Sequence, residues 1–220
     1  MNRLALFDCD GTLVDSQHNI CLAMEACFAA AGLAPPPRER TRSVVGLSLA
    51  EAMRAMLPQA DPGFHAELAE GYKRAFQAMR ADGLAEEPLF DAVADLLDAL
   101  EADGWLLGVA TGKSDRGLAL CLDCHGLSAR FVTLQTADRH PSKPHPSMAE
   151  QAMAEAGAAP AATMVIGDTS YDMAMARAAG ATAVGAGWGY HEPERLRQAG
   201  AHAIAPDCDA LVATIEGHTD

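Results

Sequence analysis

The chain has 220 residues and a formal net charge of -14, because 30 acidic residues outnumber 16 lysines and arginines. Half of the residues are hydrophobic, so the chain can bury a substantial core, whereas its negative charge would repel a nucleic acid backbone. No apolar run reaches the roughly 18 residues of a membrane helix and no signal peptide pattern is visible, so we expect a cytoplasmic protein that binds neither nucleic acid nor membrane.

The first predicted element is a short apolar strand, 4–7, which is followed directly by two acidic residues. In "LALFDCDGTLVDS", Asp8 and Asp10 are one residue apart, so in extended backbone they share a face just before Gly11 lets the chain turn. Two carboxylates this close raise each other's pKa, so the pair indicates either a bound cation or a shared proton. A polar turn without further role is the alternative.

The next segment, 16–83, has the pattern of an all-helical insertion. Helical spacing of apolar residues predicts three helices, over 18–33, 40–57 and 62–83. Prolines and an Asp-Pro-Gly turn separate them. We therefore predict a helical cap domain over 16–83, inserted into a core domain that comprises 1–15 and 84–220.

From residue 84 onward, patterns of buried strands alternate with amphipathic helices. Strands are predicted over 105–111, 131–136, 163–168, 181–187 and 202–205. Such alternation forms βαβ units, which build a parallel sheet covered by helices on both faces. The predicted fold is therefore α/β, with a Rossmann-like parallel sheet core in three layers, α/β/α, and the inserted helical cap.

Acidic residues, a threonine with the glycine that follows it, and a lysine come directly after several of these strands or lie near their ends. Ligands of such sheets bind at the carboxyl ends of the strands, so we expect these side chains to meet at one edge. The candidates are Asp8, Asp10, Thr111, Gly112, Lys143, Asp168 and Asp172. Carboxylate oxygens with open positions suit Mg²⁺, which completes its shell with water and substrate phosphate. The sequence thus predicts a magnesium site at this edge.

Four segments carry a resemblance to a known family. "DCDGTLVDS", "TGK", "SKPHPSM" and "GDTSYDMAMARAAG", in this order, resemble the four motifs of the haloacid dehalogenase-like hydrolase superfamily, specifically its phosphoglycolate phosphatase-like branch. The resemblance spans nearly the whole chain. Two residues depart from the usual pattern of the family. Relatives often have an aromatic residue at the position of Cys9 and an asparagine at that of Gly112.

The resemblance implies a chemical role for the first motif. Asp8 is implied to be the nucleophile that accepts the phosphoryl group. Asp10 is implied to protonate the leaving alkoxide and then to activate the water that hydrolyses the aspartyl-phosphate. Loss of a halide needs no such proton, so Asp10 favours phosphate esters over haloacids.

The resemblance also implies the substrate and metal contacts. Thr111 and Lys143 would hold the phosphoryl oxygens, with Gly112 beside them. The implied Mg²⁺ ligands are Asp8, the backbone carbonyl of Asp10, Asp168 and Asp172. In the helical cap, Arg42 is a candidate contact to the leaving group.

The implied function is a Mg²⁺-dependent phosphatase that hydrolyses small phosphate monoesters, with phosphoglycolate as the first substrate to consider. A phosphosugar mutase of the same superfamily and a catalytically idle binding scaffold are the alternatives. The expected partner is a small phosphorylated metabolite, and the expected assembly is a monomer or a homodimer.

Overall fold

The computed structural model describes residues 2–216, which contain one parallel sheet of six strands. The strands are β1 (Asn2–Phe7), β2 (Trp105–Thr111), β3 (Phe131–Thr136), β4 (Ala158–Gly167), β5 (Thr182–Ala186) and β6 (Ala203–Ala205). Their order is β3-β2-β1-β4-β5-β6, so β1 lies between β2 and β4. The predicted Rossmann-like α/β fold is confirmed, although β4 begins earlier than the predicted residue 163.

Helices connect and cover the strands. Those within the described residues are α1 (Gln17–Ala30), α2 (Arg38–Arg42), α3 (Leu49–Met56), α4 (Pro62–Ala81), α5 (Val93–Ala102), α6 (Asp115–Cys124), α7 (Ser147–Ala156), α8 (Ser170–Ala178), α9 (Pro193–Gln198) and α10 (Cys208–Glu216). None of the helices in this part of the chain is long and apolar enough to cross a membrane.

Both faces of the sheet are buried, as the alternating side chains of β1 show. Ala5 and Phe7 belong to a hydrophobic cluster that includes residues of α5, α6 and α10. Leu4 and Leu6 belong to a second cluster with residues of α7, α8 and α9. The sheet is therefore the central one of three layers. Because β1 lies between β2 and β4, its carboxyl end is in the interior of one sheet edge.

Helices α1 to α4 lie between β1 and α5, and α1, α3 and α4 share a hydrophobic cluster of their own. The single helix predicted over 40–57 is wrong, because α2 ends at Arg42 and α3 begins at Leu49. Between them Gly46 has a φ of +91°, a left-handed conformation that glycine adopts without a Cβ clash. Ser48 then caps α3 by accepting a hydrogen bond from the Glu51 N–H. The division into cap and core domains stays a prediction.

Candidate active site

Asp8 follows β1 directly and lies at the carboxyl edge of the sheet. Its N–H donates to the Ile166 carbonyl of β4 at 2.9 Å, which extends the pairing of the two central strands. The side chain is 1% exposed, and Oδ1 accepts from the Cys9 N–H at 2.6 Å. Oδ2 is buried and has no hydrogen-bond partner among the described residues. Such an oxygen is costly to bury, so it is an open position for a ligand.

Lys143 is buried between Asp8 and Asp172. Its Nζ lies 3.0 Å from Asp8 Oδ1 and 2.6 Å from Asp172 Oδ1. Asp172 is fixed by a capping box at the start of α8, where its Oδ2 accepts from the Thr169 N–H at 3.0 Å. Burial disfavours the charged lysine, but the carboxylates of Asp172 and Asp8 outweigh it and raise the pKa of Lys143 above its usual value. The ammonium group is therefore a fixed positive charge beside Asp8.

Asp168 follows β4 and is oriented by two donors. Thr12 Oγ1 donates to its Oδ1 at 3.0 Å, and the Tyr190 N–H donates to its Oδ2 at 2.9 Å. The turn after β1 passes against this carboxylate at Gly11, where φ is +84° and a Cβ would overlap the Asp168 oxygens. Glycine at position 11 thus allows the turn and leaves room for the carboxylate.

The three carboxylates of Asp8, Asp168 and Asp172 form one buried cluster, in which one oxygen of each lies within 4.8 Å of the others. Burial raises the pKa of Asp8 to about 7, with Lys143 opposing this effect and Asp172 and Asp10 adding to it. Burial and then the charges of Asp8 and Asp172 hold the pKa of Asp168 well above its ordinary range. Lys143 balances only part of this negative charge. The donor set therefore fits a hard divalent cation, which would supply the missing positive charge.

Asp10 lies beside the cluster and is held through one oxygen. Its Oδ1 lies 2.8 Å from Lys113 Nζ and accepts a hydrogen bond from Ser16 Oγ. Lys113 also pairs with Glu87 at 2.6 Å. Its burial opposes the charged form, but neighbouring negative charges, Asp10 foremost, raise the pKa of Lys113 well above its usual value. Because both contacts use Oδ1, Oδ2 of Asp10 is available to exchange a proton.

The Gly-rich segment after β5, 187–191, contacts the turn after β1. Trp188 Nε1 donates to the Thr12 carbonyl at 3.1 Å, and the Tyr190 hydroxyl accepts from the Ser16 N–H at 3.1 Å. Tyr190 thus contacts both the Asp168 carboxylate, through its N–H, and Ser16, which donates to Asp10.

Tyr190 had no part in the sequence interpretation, and Ser16 and Lys113 appeared there only as the last residues of "DCDGTLVDS" and "TGK", without a chemical role. They come from distant parts of the chain and meet only in the folded protein. The one available signal was the place of Lys113, two residues after the end of β2, at the edge where the other candidates lie.

A cavity of about 720 Å³ opens between the sheet edge and the helices α1 to α4. Asp8, Asp10, Thr111 and Gly112 line it from the side of the sheet. Arg42 is not among the residues that line the cavity, and its guanidinium donates to Gln17 Oε1 at 3.2 Å. The structure thus brings together the predicted residues of the sheet edge but leaves Arg42 outside the cavity.

Gly112 lies where the chain between α2 and α3 touches the sheet edge. A Cβ at this position would lie 2.6 Å from the carbonyl oxygen of Leu47 and 3.0 Å from that of Gly46. We expect Gly112→Ala to lower the free energy of unfolding by about 1–3 kcal/mol, because backbone rather than a flexible side chain must move. Urea denaturation measures the change.

Gly117→Ala is the matched control for this substitution. A Cβ at position 117 would lie 3.2 Å from Ser114 Oγ. Position 117 is in α6, where alanine forms a helix more readily than glycine does. An effect below about 1 kcal/mol is expected. Equal destabilisation by the two substitutions would contradict the close approach at Gly112.

Comparison with known proteins gives a consistent set of relatives. Residues 5–186 match the family described as haloacid dehalogenase-like hydrolase. The "Probable phosphatase IndB" of Dickeya dadantii is 35% identical over 219 residues, which cover 96% of this chain and 93% of that protein. The phosphoglycolate phosphatase of Xylella fastidiosa strain 9a5c is 32% identical over 193 residues, which cover 87% of this chain and 83% of that protein.

The fold is shared with solved structures. A hydrolase from Pseudomonas syringae superimposes with a TM-score of 0.87 at 23% identity, and the match covers 98% of this chain and 99% of that one. This likeness concerns the fold alone. The family match over most of the chain and the identity to relatives of similar length confirm the resemblance carried by the four motifs. The chain therefore belongs to the haloacid dehalogenase-like hydrolase family.

Proposed function

We propose that this protein hydrolyses small phosphate monoesters and that Asp8 is its nucleophile. The observation that carries the proposal is the free Oδ2 of Asp8, a buried carboxylate oxygen without a partner among the described residues, at the edge of a large cavity. Oδ1 is held by Cys9 and Lys143, so Oδ2 is the oxygen presented to a ligand. Relatives named as phosphatases, those of Dickeya and Xylella among them, support the same reaction.

In the first half-reaction, Asp8 Oδ2 forms a bond to phosphorus while the bond from phosphorus to the alkoxide oxygen breaks. The product is an aspartyl-phosphate, and Asp10 gives its proton to the departing alkoxide. Thr111 Oγ1 accepts from the Lys113 N–H at 3.2 Å, so its O–H is free to donate to a phosphoryl oxygen. Lys143, which lies beside Asp8, adds a positive charge near the phosphoryl oxygens.

In the second half-reaction, Asp10 is a carboxylate and takes a proton from water as that water attacks phosphorus. The bond from phosphorus to Asp8 breaks, inorganic phosphate leaves and the Asp8 carboxylate is restored. Ser16 and Lys113 keep Oδ1 of Asp10 in place, so Oδ2 serves both proton transfers.

Asp8, Asp168 and Asp172 are proposed to hold Mg²⁺, with the Asp10 carbonyl as a further ligand. When bound, the ion offsets the negative charge of the phosphoryl oxygens and the repulsion between substrate and nucleophile. The raised pKa of Asp8 supports this assignment, because a nucleophile with a pKa of about 7 needs more positive charge nearby to be fully ionised at neutral pH.

Residues 16–83 are proposed to form a cap domain above the core. The Tyr171 hydroxyl donates to the Ser43 carbonyl at 3.1 Å, and the Ser48 N–H donates to Ser142 Oγ at 2.8 Å. These contacts tie the chain between α2 and α3 to the sheet edge. A cap in this place would exclude water while the phosphoryl group moves to Asp8.

Phosphate release from a panel of phosphomonoesters, with Mg²⁺ and with excess chelator, tests the proposed function. Phosphoglycolate belongs in the panel because the Xylella relative is named as a phosphoglycolate phosphatase. We expect release that stops with chelator and returns with added Mg²⁺, and a higher melting temperature with Mg²⁺, since an ion that binds only the native state stabilises it. Release that is indifferent to chelator, isomer formation without net phosphate, or no turnover at all would contradict the proposal.

A further inference from the structure

The cavity above Asp8 is much larger than a short phosphate ester requires. Its volume of about 720 Å³ lies within the range of roughly 300–1,000 Å³ that is typical of sites for drug-sized ligands. Asp8, Asp10 and Thr111 occupy one side. The space beyond them would receive the alcohol part of a phosphate ester, so the lining of that space decides which alcohols fit.

Apolar side chains make up much of the cavity lining besides Asp8, Asp10 and Thr111. They include Met24, Val44, Val45, Tyr72, Phe76 and Leu120. Tyr72 and Phe76 lie one turn apart on α4, with ring centroids 6.0 Å from each other and an interplanar angle of 35°. Adjacent aromatic rings of this kind form a surface on which another ring can pack.

The aromatic surface reaches the acidic end of the cavity. Tyr72 and Phe76 line the same cavity as Asp10, whose Oδ1 lies 2.8 Å from Lys113 Nζ. Lys113 Nζ lies 5.9 Å from the ring centroid of Phe76. An alcohol bound near Asp10 would therefore lie near Phe76 and the adjacent ring of Tyr72.

Three of the four lysines and arginines that line the cavity have acidic partners among the described residues. Lys73 pairs with Glu70 at 2.8 Å, Arg80 with Glu87, and Lys113 with both Asp10 and Glu87. Arg116 also lines the cavity but is exposed. Within the described residues, Arg116 is thus the one lining cation without an acidic partner, and an ion pair at an exposed position contributes little, so a second anionic group on the substrate gains little binding free energy here.

We propose that the substrate is a phosphate monoester of a bulky, uncharged, ring-bearing alcohol, and that Tyr72 and Phe76 bind the ring. This inference rests on the proposed phosphatase function and narrows its substrate class. It disfavours short esters that carry a second anionic group, such as phosphoglycolate.

Three esters with comparable alkoxide leaving groups test the preference: phenethyl phosphate, ethyl phosphate and phosphoglycolate. We expect kcat/KM for phenethyl phosphate to exceed that for ethyl phosphate at least about tenfold, the effect of burying a ring. Phosphoglycolate should be the poorest of the three. A higher kcat/KM for phosphoglycolate than for phenethyl phosphate would overturn the inference.

Substitutions in α4 locate the preference on the rings. Phe76→Ala should lower the ratio of the two kcat/KM values, phenethyl over ethyl phosphate, at least about tenfold. Phe64→Ala, on the same helix but packed in the cluster of α1, α3 and α4, should leave this ratio unchanged. Leu120→Ala, at an exposed position on α6 that lines the cavity, should lower the ratio without threatening the fold. An unchanged ratio in both Phe76→Ala and Leu120→Ala would overturn the inference.

Binding of non-hydrolysable phosphonates separates this inference from the proposed function. Phenylpropyl phosphonate and phosphonopropionate replace the ester oxygen of phenethyl phosphate and phosphoglycolate by a methylene group. Calorimetry with the Mg²⁺-loaded protein should show tighter binding of phenylpropyl phosphonate, at least about tenfold. If phenylpropyl phosphonate binds more tightly but no ester is hydrolysed, only the phosphatase function is overturned. If esters are hydrolysed but phosphonopropionate binds more tightly, only the substrate class is overturned.

Discussion

An Asp8→Asn variant is expected to lose phosphate release by at least about 10⁴-fold while keeping its fold. The amide has nearly the shape of the carboxylate and can still accept a hydrogen bond from the Cys9 N–H, so the turn after β1 is retained. It is a far weaker nucleophile, and it also removes a ligand from the acidic cluster. Initial rates with the best ester measure the loss, and circular dichroism with thermal melting measures the fold.

Asp15→Asn is the matched control for this variant. Asp15 lies in the same turn but is exposed, and its Oδ1 accepts from the Gln17 N–H at 3.2 Å. Asp15 Oδ1 also lies 3.5 Å from the Tyr190 hydroxyl, and the control is expected to keep the wild-type rate because asparagine retains the acceptor oxygen of both contacts. If a folded Asp8→Asn variant kept a substantial part of the wild-type rate, the nucleophile would have to be another group.

Lys143→Met is expected to lower the free energy of unfolding by about 3–5 kcal/mol in the absence of metal. The substitution keeps much of the side-chain volume but leaves the buried carboxylates of Asp8 and Asp172 without their shared cation. The rate of phosphate release should fall as well, because the phosphoryl group would lose a positive charge. Urea denaturation measures the first effect and initial rates the second.

Lys73→Met gives the comparison for an exposed ion pair. Lys73 Nζ lies 2.8 Å from Glu70 Oε1, and both side chains are largely exposed. Its loss should cost less than about 1 kcal/mol. A Lys143→Met variant as stable as Lys73→Met would show that the buried lysine does not compensate the acidic cluster.

The sheet edge could be predicted because its signals are local. Each run of apolar residues predicted a buried strand, and Asp8 and Asp168 follow their strands directly. In a parallel sheet all carboxyl ends lie on one edge, so strand assignment alone was enough to bring these carboxylates together. The buried position of Lys143 was not visible in this way, because most lysines are exposed.

The helical region could be predicted only in outline. The apolar spacing across 40–57 continues through the turn at Gly46, so periodicity alone does not reveal where α2 ends. The close approach of Leu47 to Gly112 is a contact between distant segments, which no local pattern encodes. For the same reason, the position of Arg42 outside the cavity and the aromatic surface of Tyr72 and Phe76 emerged only from the folded chain.

Chemical trapping of the aspartyl-phosphate tests Asp8 as the nucleophile most directly. Wild-type protein would be mixed with Mg²⁺ and saturating substrate, quenched at a series of short times and reduced with borohydride, which converts an acyl phosphate of aspartate into homoserine. We predict homoserine at position 8 in peptides from these samples, and its absence without substrate and in the Asp8→Asn variant. Homoserine at another acidic residue, or an unmodified position 8 at every quench time while phosphate is released, would contradict the proposed mechanism.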